Sequence, residues 1–203
     1  MTSIEWTDAT WNPVRGCARV SKGCEHCYAE GVARRFAGPG QPYEGLVRLG
    51  KDGKPKAQWN GEVLFVPEKL AEPLGWRKPR RVFVNSMSDL FHEGLAFEQI
   101  AAVFGVMAAA PTHTFQVLTK RPARAREFFA WLGTAAALDK CAVFADDAIG
   151  PRMVRASRAA AFAPGRGATQ WPLPNVWLGV SVENQATADE RIPVLLSLPA
   201  AVR

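Results

Sequence analysis

Nothing in this chain of 203 residues is built to cross a membrane. Its longest apolar run, Ile100 to Ala110, falls well short of the roughly 20 residues that a spanning helix needs. The first eight residues are polar and acidic, and no basic segment leads into an apolar stretch, which excludes a secretory leader. No repeat with a period of roughly 20–50 residues is present. Histidine is scarce, with three copies, and cysteine amounts to four. Together these absences predict a cytoplasmic chain. In a reducing compartment its thiols serve as metal ligands or catalytic groups rather than as a disulfide framework. Hydrophobic content of 48% excludes a disordered chain and predicts one globular domain over residues 1–203 with a sizeable core.

Acidic residues are also in deficit. The formal net charge is +6, and residues 1–81 hold most of the excess, with 14 Lys/Arg against 9 Asp/Glu. This bias permits nucleic acid or another polyanion as a partner without requiring one; a solvated basic face explains it equally well.

What is present is concentrated near the start. Cys17, Cys24 and Cys27 fall in one short polar run, Asn12 to Glu30. Three thiols are too many for one disulfide and one too few for a zinc site closed by four cysteines. They suffice for three irons of a [4Fe–4S] cluster, which leaves the fourth iron open to an outside ligand. Gly16 and Gly23 each precede a ligand and free the loop to wrap a cluster closely. A structural Zn held by three cysteines and a histidine is the second reading. His26 adjoins Cys27 and is poorly placed to share its metal, whereas His92 would have to reach in from another loop. Three unligated thiols are the third reading. Cys141, in an Ala-rich segment, reads as a plain buried thiol.

Elsewhere an apolar strand, a polar loop and an amphipathic helix recur. Arg81–Val84 reads as a buried strand, with a helix carrying Ile100, Val103, Phe104 and Met107 on one face. Thr114–Leu118 reads as the next strand, and Pro122 opens the helix after it. Val176–Val180 is a further strand, followed by a helix from Gln185 to Leu198, bent or restarted at Pro193. Upstream, Tyr28–Phe36 reads as a helix. Residues 46–49 and 62–66 read as a hairpin turning at 50–53, and a short helix starts at Glu68. Residues 133–172 break the rhythm and look like a loosely structured insertion. Strands alternating with helices predict an α/β fold with a parallel sheet.

Each strand ends in polar residues, and ligands bind at the carboxyl ends of such strands. After the first lie Asn85, Ser86, Ser88 and Asp89, able to hydrogen-bond a ligand or simply to cap the next helix. After the second lie Thr119, Lys120 and Arg121, where one cation can neutralise a carboxylate or phosphate and the other reads as surface charge. After the third lie Glu183 and Asn184, suited to a ribose or an amine, with Asn184 equally suited to an N-cap. His113 precedes its strand and reads as structural. The stretch Pro199–Arg203 reads as the approach to another strand, so the chain looks truncated after about four βα units.

Several blocks in order resemble the phage and prophage three-Cys-motif family: Ile4–Pro13, the cysteine loop through Glu30, Ser86–His92, Leu118–Pro122 and Trp177–Asn184. That family is similar to the radical S-adenosylmethionine (radical SAM) superfamily. The resemblance implies a partial (β/α) barrel with the cluster loop after the first strand. It also implies a mechanism. The open iron binds SAM, and an electron donor such as flavodoxin or ferredoxin reduces the cluster. The carbon–sulfur bond of SAM then breaks, and a 5′-deoxyadenosyl radical takes hydrogen from a substrate; a nucleotide, a nucleic acid and a protein all stay open for that role. Cys17, Cys24 and Cys27 become the iron ligands, and Asn85, Ser86, Ser88, Asp89, Thr119, Lys120, Glu183 and Asn184 become candidates for holding SAM. The pattern departs from the superfamily in three places. Six residues, not three, separate the first two cysteines, His26 stands where an aromatic usually precedes the third cysteine, and Ser86–Asp89 stands where a Gly-Gly-Glu segment is expected. The alternative from another class is a zinc-stabilised, nucleic-acid-binding phage protein without catalysis.

Overall fold

The computed structural model describes residues 4–49, 57–133, 137–150 and 171–203. Four parallel strands form its centre: β1 (Ala9–Trp11), β6 (Arg81–Val84), β7 (Thr114–Thr119) and β8 (Val176–Val180), adjacent in that order. Ala9 pairs with Val82, Val82 with Phe115 and Phe115 with Val176. This register stacks the alternate residues of all four strands on one face, because side chains alternate along a strand with period two. Val82, Val84, Phe115, Val117, Val176 and Leu178 are all buried there, with Trp11 beside them. The helices that follow the strands cover this face. They are α3 (Phe97–Ala109), α4 (Pro122–Leu132) and α6 (Gln185–Ser197), and α6 runs through Pro193 as one helix. The opposite face carries Phe83, Gln116, Leu118 and Trp177. It is only partly covered, with Leu118 37% and Trp177 40% exposed.

The α/β class and the parallel sheet agree with the sequence pattern. Among the described residues the sheet does not close into a barrel. A parallel bridge between Trp177 and Val202 extends it by one contact, where Pro199–Arg203 reads as the approach to a strand.

Two expectations are corrected. The strand Val47–Leu49 (β3) pairs antiparallel with Ala57–Trp59 (β4), not with residues 62–66. Leu64–Phe65 (β5) instead pairs with Val14–Arg15 (β2), and the proposed turn at 50–53 lies outside the described residues. The second correction falls in 133–172. Residues Ala137–Ile149 form a helix, α5, packed along α3. Its alanines look like low complexity, yet alanine is the strongest helix former. Ala137, Cys141 and Ala145 present a buried small-residue stripe to α3. At the crossing, a Cβ on Gly105 would stand 2.2 Å from the Cys141 carbonyl oxygen. Only glycine admits that approach, and α3 is consequently buried from Ile100 to Ala108 rather than on one face. Residues 151–170 of the same stretch lie outside the described residues. No described helix is long and apolar enough to cross a membrane.

Candidate metal centre

The cysteine loop leaves β1 through the short strand β2 and is tied down at each step. Gly16, at φ +86°, passes so close to Glu62 that a Cβ would lie 2.3 Å from its carbonyl oxygen. The position therefore demands glycine for both conformation and space. Cys17 follows. Arg19 then forks onto Glu30, with Nε donating to Oε1 at 2.9 Å and Nη2 to Oε2 at 2.5 Å. Glu30 is 4% exposed, and its Oε1 also accepts the Trp59 backbone N–H at 3.1 Å. A buried carboxylate is stable only with such partners, so this pair fixes the loop to the helix α1 (Tyr28–Arg35) and to β4. The loop closes in a 3-10 turn, Lys22–Cys24, and Cys27 is the N-cap residue of α1.

Two strand ends clamp the loop from above. Arg121, after β7, donates from Nη2 to the Ala18 carbonyl at 3.0 Å and pairs through Nη1 with Glu93. Glu183, after β8, accepts from Ser21 Oγ at 2.8 Å and pairs with Arg191 at 3.1 Å. Its side chain lies directly on Gly23, where a Cβ would come within 2.1 Å. Burial opposes ionisation of Glu183, but the bonds from Ser21 and Arg191 outweigh it and hold the carboxyl below its ordinary range.

All three loop cysteines are free and line one cavity of about 380 Å³. Among the described residues no three His, Cys, Asp or Glu side chains form a group able to hold a single metal ion as they stand; the thiols border a space instead. Neither His26 nor His92 lines that space. His26 is exposed, and His92 is buried with its Nδ1 accepting the Gly94 N–H. Three thiols, and neither of these histidines, thus border the space. Burial, with the Asp89 carboxylate adding to it, pushes the Cys17 thiol up to about 11, against the opposing pull of Arg121. Ligation there must displace a tightly held proton.

The residues after β6 divide by role. Asp89 lines the cavity, but its carboxylate is already committed. Oδ1 accepts from Thr119 Oγ1 at 2.8 Å and from the Phe91 N–H at 3.0 Å, and Oδ2 accepts the Lys120 N–H at 3.0 Å. Asp89 and Thr119 thus bolt the end of β6 to the end of β7. Ser86 Oγ bonds Asn12 Oδ1 at 3.2 Å and Ser88 Oγ donates to the Val14 carbonyl at 3.1 Å, so both also serve the loop framework while facing the cavity. Asn85 differs. It is 3% exposed and lines the cavity, with a left-handed backbone at φ +59°. Neither its Oδ1 nor its Nδ2 has a hydrogen-bond partner.

Of the two cations after β7, Lys120 lines the cavity and Arg121 is the buried clamp. Glu183 and Asn184 do not line it; Asn184 accepts the Thr187 N–H at 2.9 Å as the N-cap of α6. Trp6, Phe83 and Tyr28 also border the cavity, and sequence reasoning assigned them no place. For Phe83 a signal existed: it alternates with Val82 and Val84 and so had to face away from the helices.

The whole chain, residues 1–203, matches one family model, described as "Protein of unknown function (DUF5131)". No curated protein and no solved structure matches.

Proposed function

We propose that this chain, which belongs to the DUF5131 family, is an iron–sulfur enzyme of radical SAM type built on a partial (β/α) barrel. One observation carries the reading: three free thiols border one cavity at the carboxyl ends of parallel strands, and no histidine lines it. Cys17, Cys24 and Cys27 would hold three irons of a [4Fe–4S] cluster, with SAM as the outside ligand. Such a cluster supplies the single electron that cleaves SAM and starts radical chemistry, and an external donor of the flavodoxin or ferredoxin class would recharge it.

The chain's own residues do the rest. Arg121 sets a positive charge beside Cys17 and holds the Ala18 carbonyl, which favours the thiolate form and fixes the loop. Glu183, Arg191 and Ser21 keep the far side of the loop closed against β8. Lys120 lines the cavity at the rim, and its ammonium would neutralise a carboxylate or phosphate there. Asn85 offers a donor and an acceptor that the protein leaves unused. The excess of basic residues is compatible with a nucleotide or nucleic acid as substrate, within the phage setting that the sequence blocks suggest.

The test is reductive cleavage of SAM. Protein purified without oxygen and supplied with dithionite and SAM is expected to release 5′-deoxyadenosine, measured by chromatography, and Cys27→Ala is expected to abolish release. Release that continues in the Cys27→Ala protein would refute the assignment.

A further inference from the structure

The cavity extends beyond the cysteines onto the open face of the sheet. Phe83 on β6 and Asn85, just beyond the end of that strand, both line the cavity. Trp6 leans over Phe83, with ring centroids 4.8 Å apart and planes at 59°. Its backbone carbonyl accepts from Gln116 Nε2 on the neighbouring strand at 3.4 Å. Leu118 and Lys120 continue the wall upward along β7. The site thus combines an aromatic wall, an unused carboxamide and a cation. None of these is a candidate metal ligand.

We infer that Trp6, Phe83 and Asn85 form a nucleobase-binding subsite, with Lys120 placed for the phosphate or carboxylate of the same ligand. The carboxamide carries the argument. A buried amide without partners is costly, and it presents one donor and one acceptor side by side. That pattern complements the paired donor and acceptor on the edge of adenine or cytosine, the pairing by which Asn reads adenine in DNA. An aromatic wall meets the remaining surface of such a ligand, its flat π-face. The left-handed backbone of Asn85 is a conformation that Asn tolerates and most residues do not, which holds the carboxamide at this point of the rim. The inference deepens the radical SAM reading and names a ligand class for the same cavity, but the subsite can be tested without the cluster chemistry.

The full chain, purified without oxygen, is titrated calorimetrically with AMP and CMP, and with ribose 5-phosphate as the probe lacking a base. At least one nucleotide is expected to bind ten times or more tighter than ribose 5-phosphate. Asn85→Gly keeps the left-handed backbone and removes the carboxamide; Trp6→Leu alters a half-exposed ring. Each is expected to weaken nucleotide binding at least tenfold with unchanged circular dichroism. Competition by S-adenosylhomocysteine would assign the base to SAM itself, and independent binding would assign it to the substrate; both results support the subsite. Ribose 5-phosphate binding as tightly as either nucleotide, no binding of either, or affinities unchanged in both variants would overturn it. Iron content, measured on the same samples, separates the two claims. Full iron without base binding defeats the subsite alone, and base binding without iron defeats the cluster alone.

Discussion

Cys17 is pulled two ways, by burial and Asp89 toward the thiol and by Arg121 toward the thiolate. The thiol wins, being raised from 9.0 to about 11. Reactivity follows the thiolate fraction, so at pH 8 metal-free Cys17 should be alkylated by iodoacetamide roughly a hundredfold more slowly than in the urea-unfolded chain. Raising the pH toward 11 should close the gap, and peptide mass spectrometry reads both. A second residue holds the loop from below. Glu30→Gln leaves Arg19 without its bidentate partner at a buried site, which should cost about 1–2 kcal/mol by chemical denaturation, Arg19 being partly solvated. Two histidines weaken the fold in mild acid. Burial lowers His92, with Arg121 lowering it further, and burial likewise lowers His113, both from 6.5. Each is held neutral in the fold, so the unfolded chain binds more protons below that value. Stability is therefore full above about pH 6.5 and falls as pH drops toward the folded values. The melting temperature should fall between pH 7.5 and 5.5, less steeply in His113→Gln.

Among the elements, the tightest joint is the crossing of α3 and α5 at Gly105. A methyl group there meets the Cys141 backbone, which cannot swing aside as a side chain could. Gly105→Ala should cost at least 1–3 kcal/mol by overpacking, although a glycine-to-alanine change in a helix ordinarily stabilises; a rise in melting temperature would contradict the packing described. This joint also marks where sequence reading stopped. The strands at 81–84, 114–119 and 176–180 were legible because β-branched and aromatic residues alternate there, and α3, α4 and α6 because apolar residues recur at helical spacing. Helix α5 was not, because its buried stripe consists of Ala137, Cys141 and Ala145, which carry little hydrophobic contrast. The partner of β3 was missed for a different reason. Pairing of strands this short is decided by how the loop closes and by what covers it, here Glu30 bonding Trp59, and no local pattern records that.

At the scale of the whole molecule, the sheet assembles one rim from segments far apart in sequence. The cysteine loop, the turn after β6 and the turn after β7 meet there, held by Arg121 to Ala18 across a separation of 103 residues and by Glu183 to Ser21 across 162. The rim was legible as a list of polar strand ends. Their division of labour was not, since it depends on which side chains find internal partners. Asp89, Thr119, Glu183 and Asn184 spend their polar atoms on the scaffold, while Asn85 and Lys120 are left to the cavity. The function proposed for this rim depends on what the three thiols hold. The most direct measurement is the iron, sulfide and zinc content of protein purified without oxygen, with an absorption spectrum taken before and after dithionite. About four irons and four sulfides per chain, with broad absorbance that bleaches on reduction and is lost in Cys24→Ala, is the predicted result. One zinc per chain with no iron, or a full iron complement retained in Cys24→Ala, would contradict it.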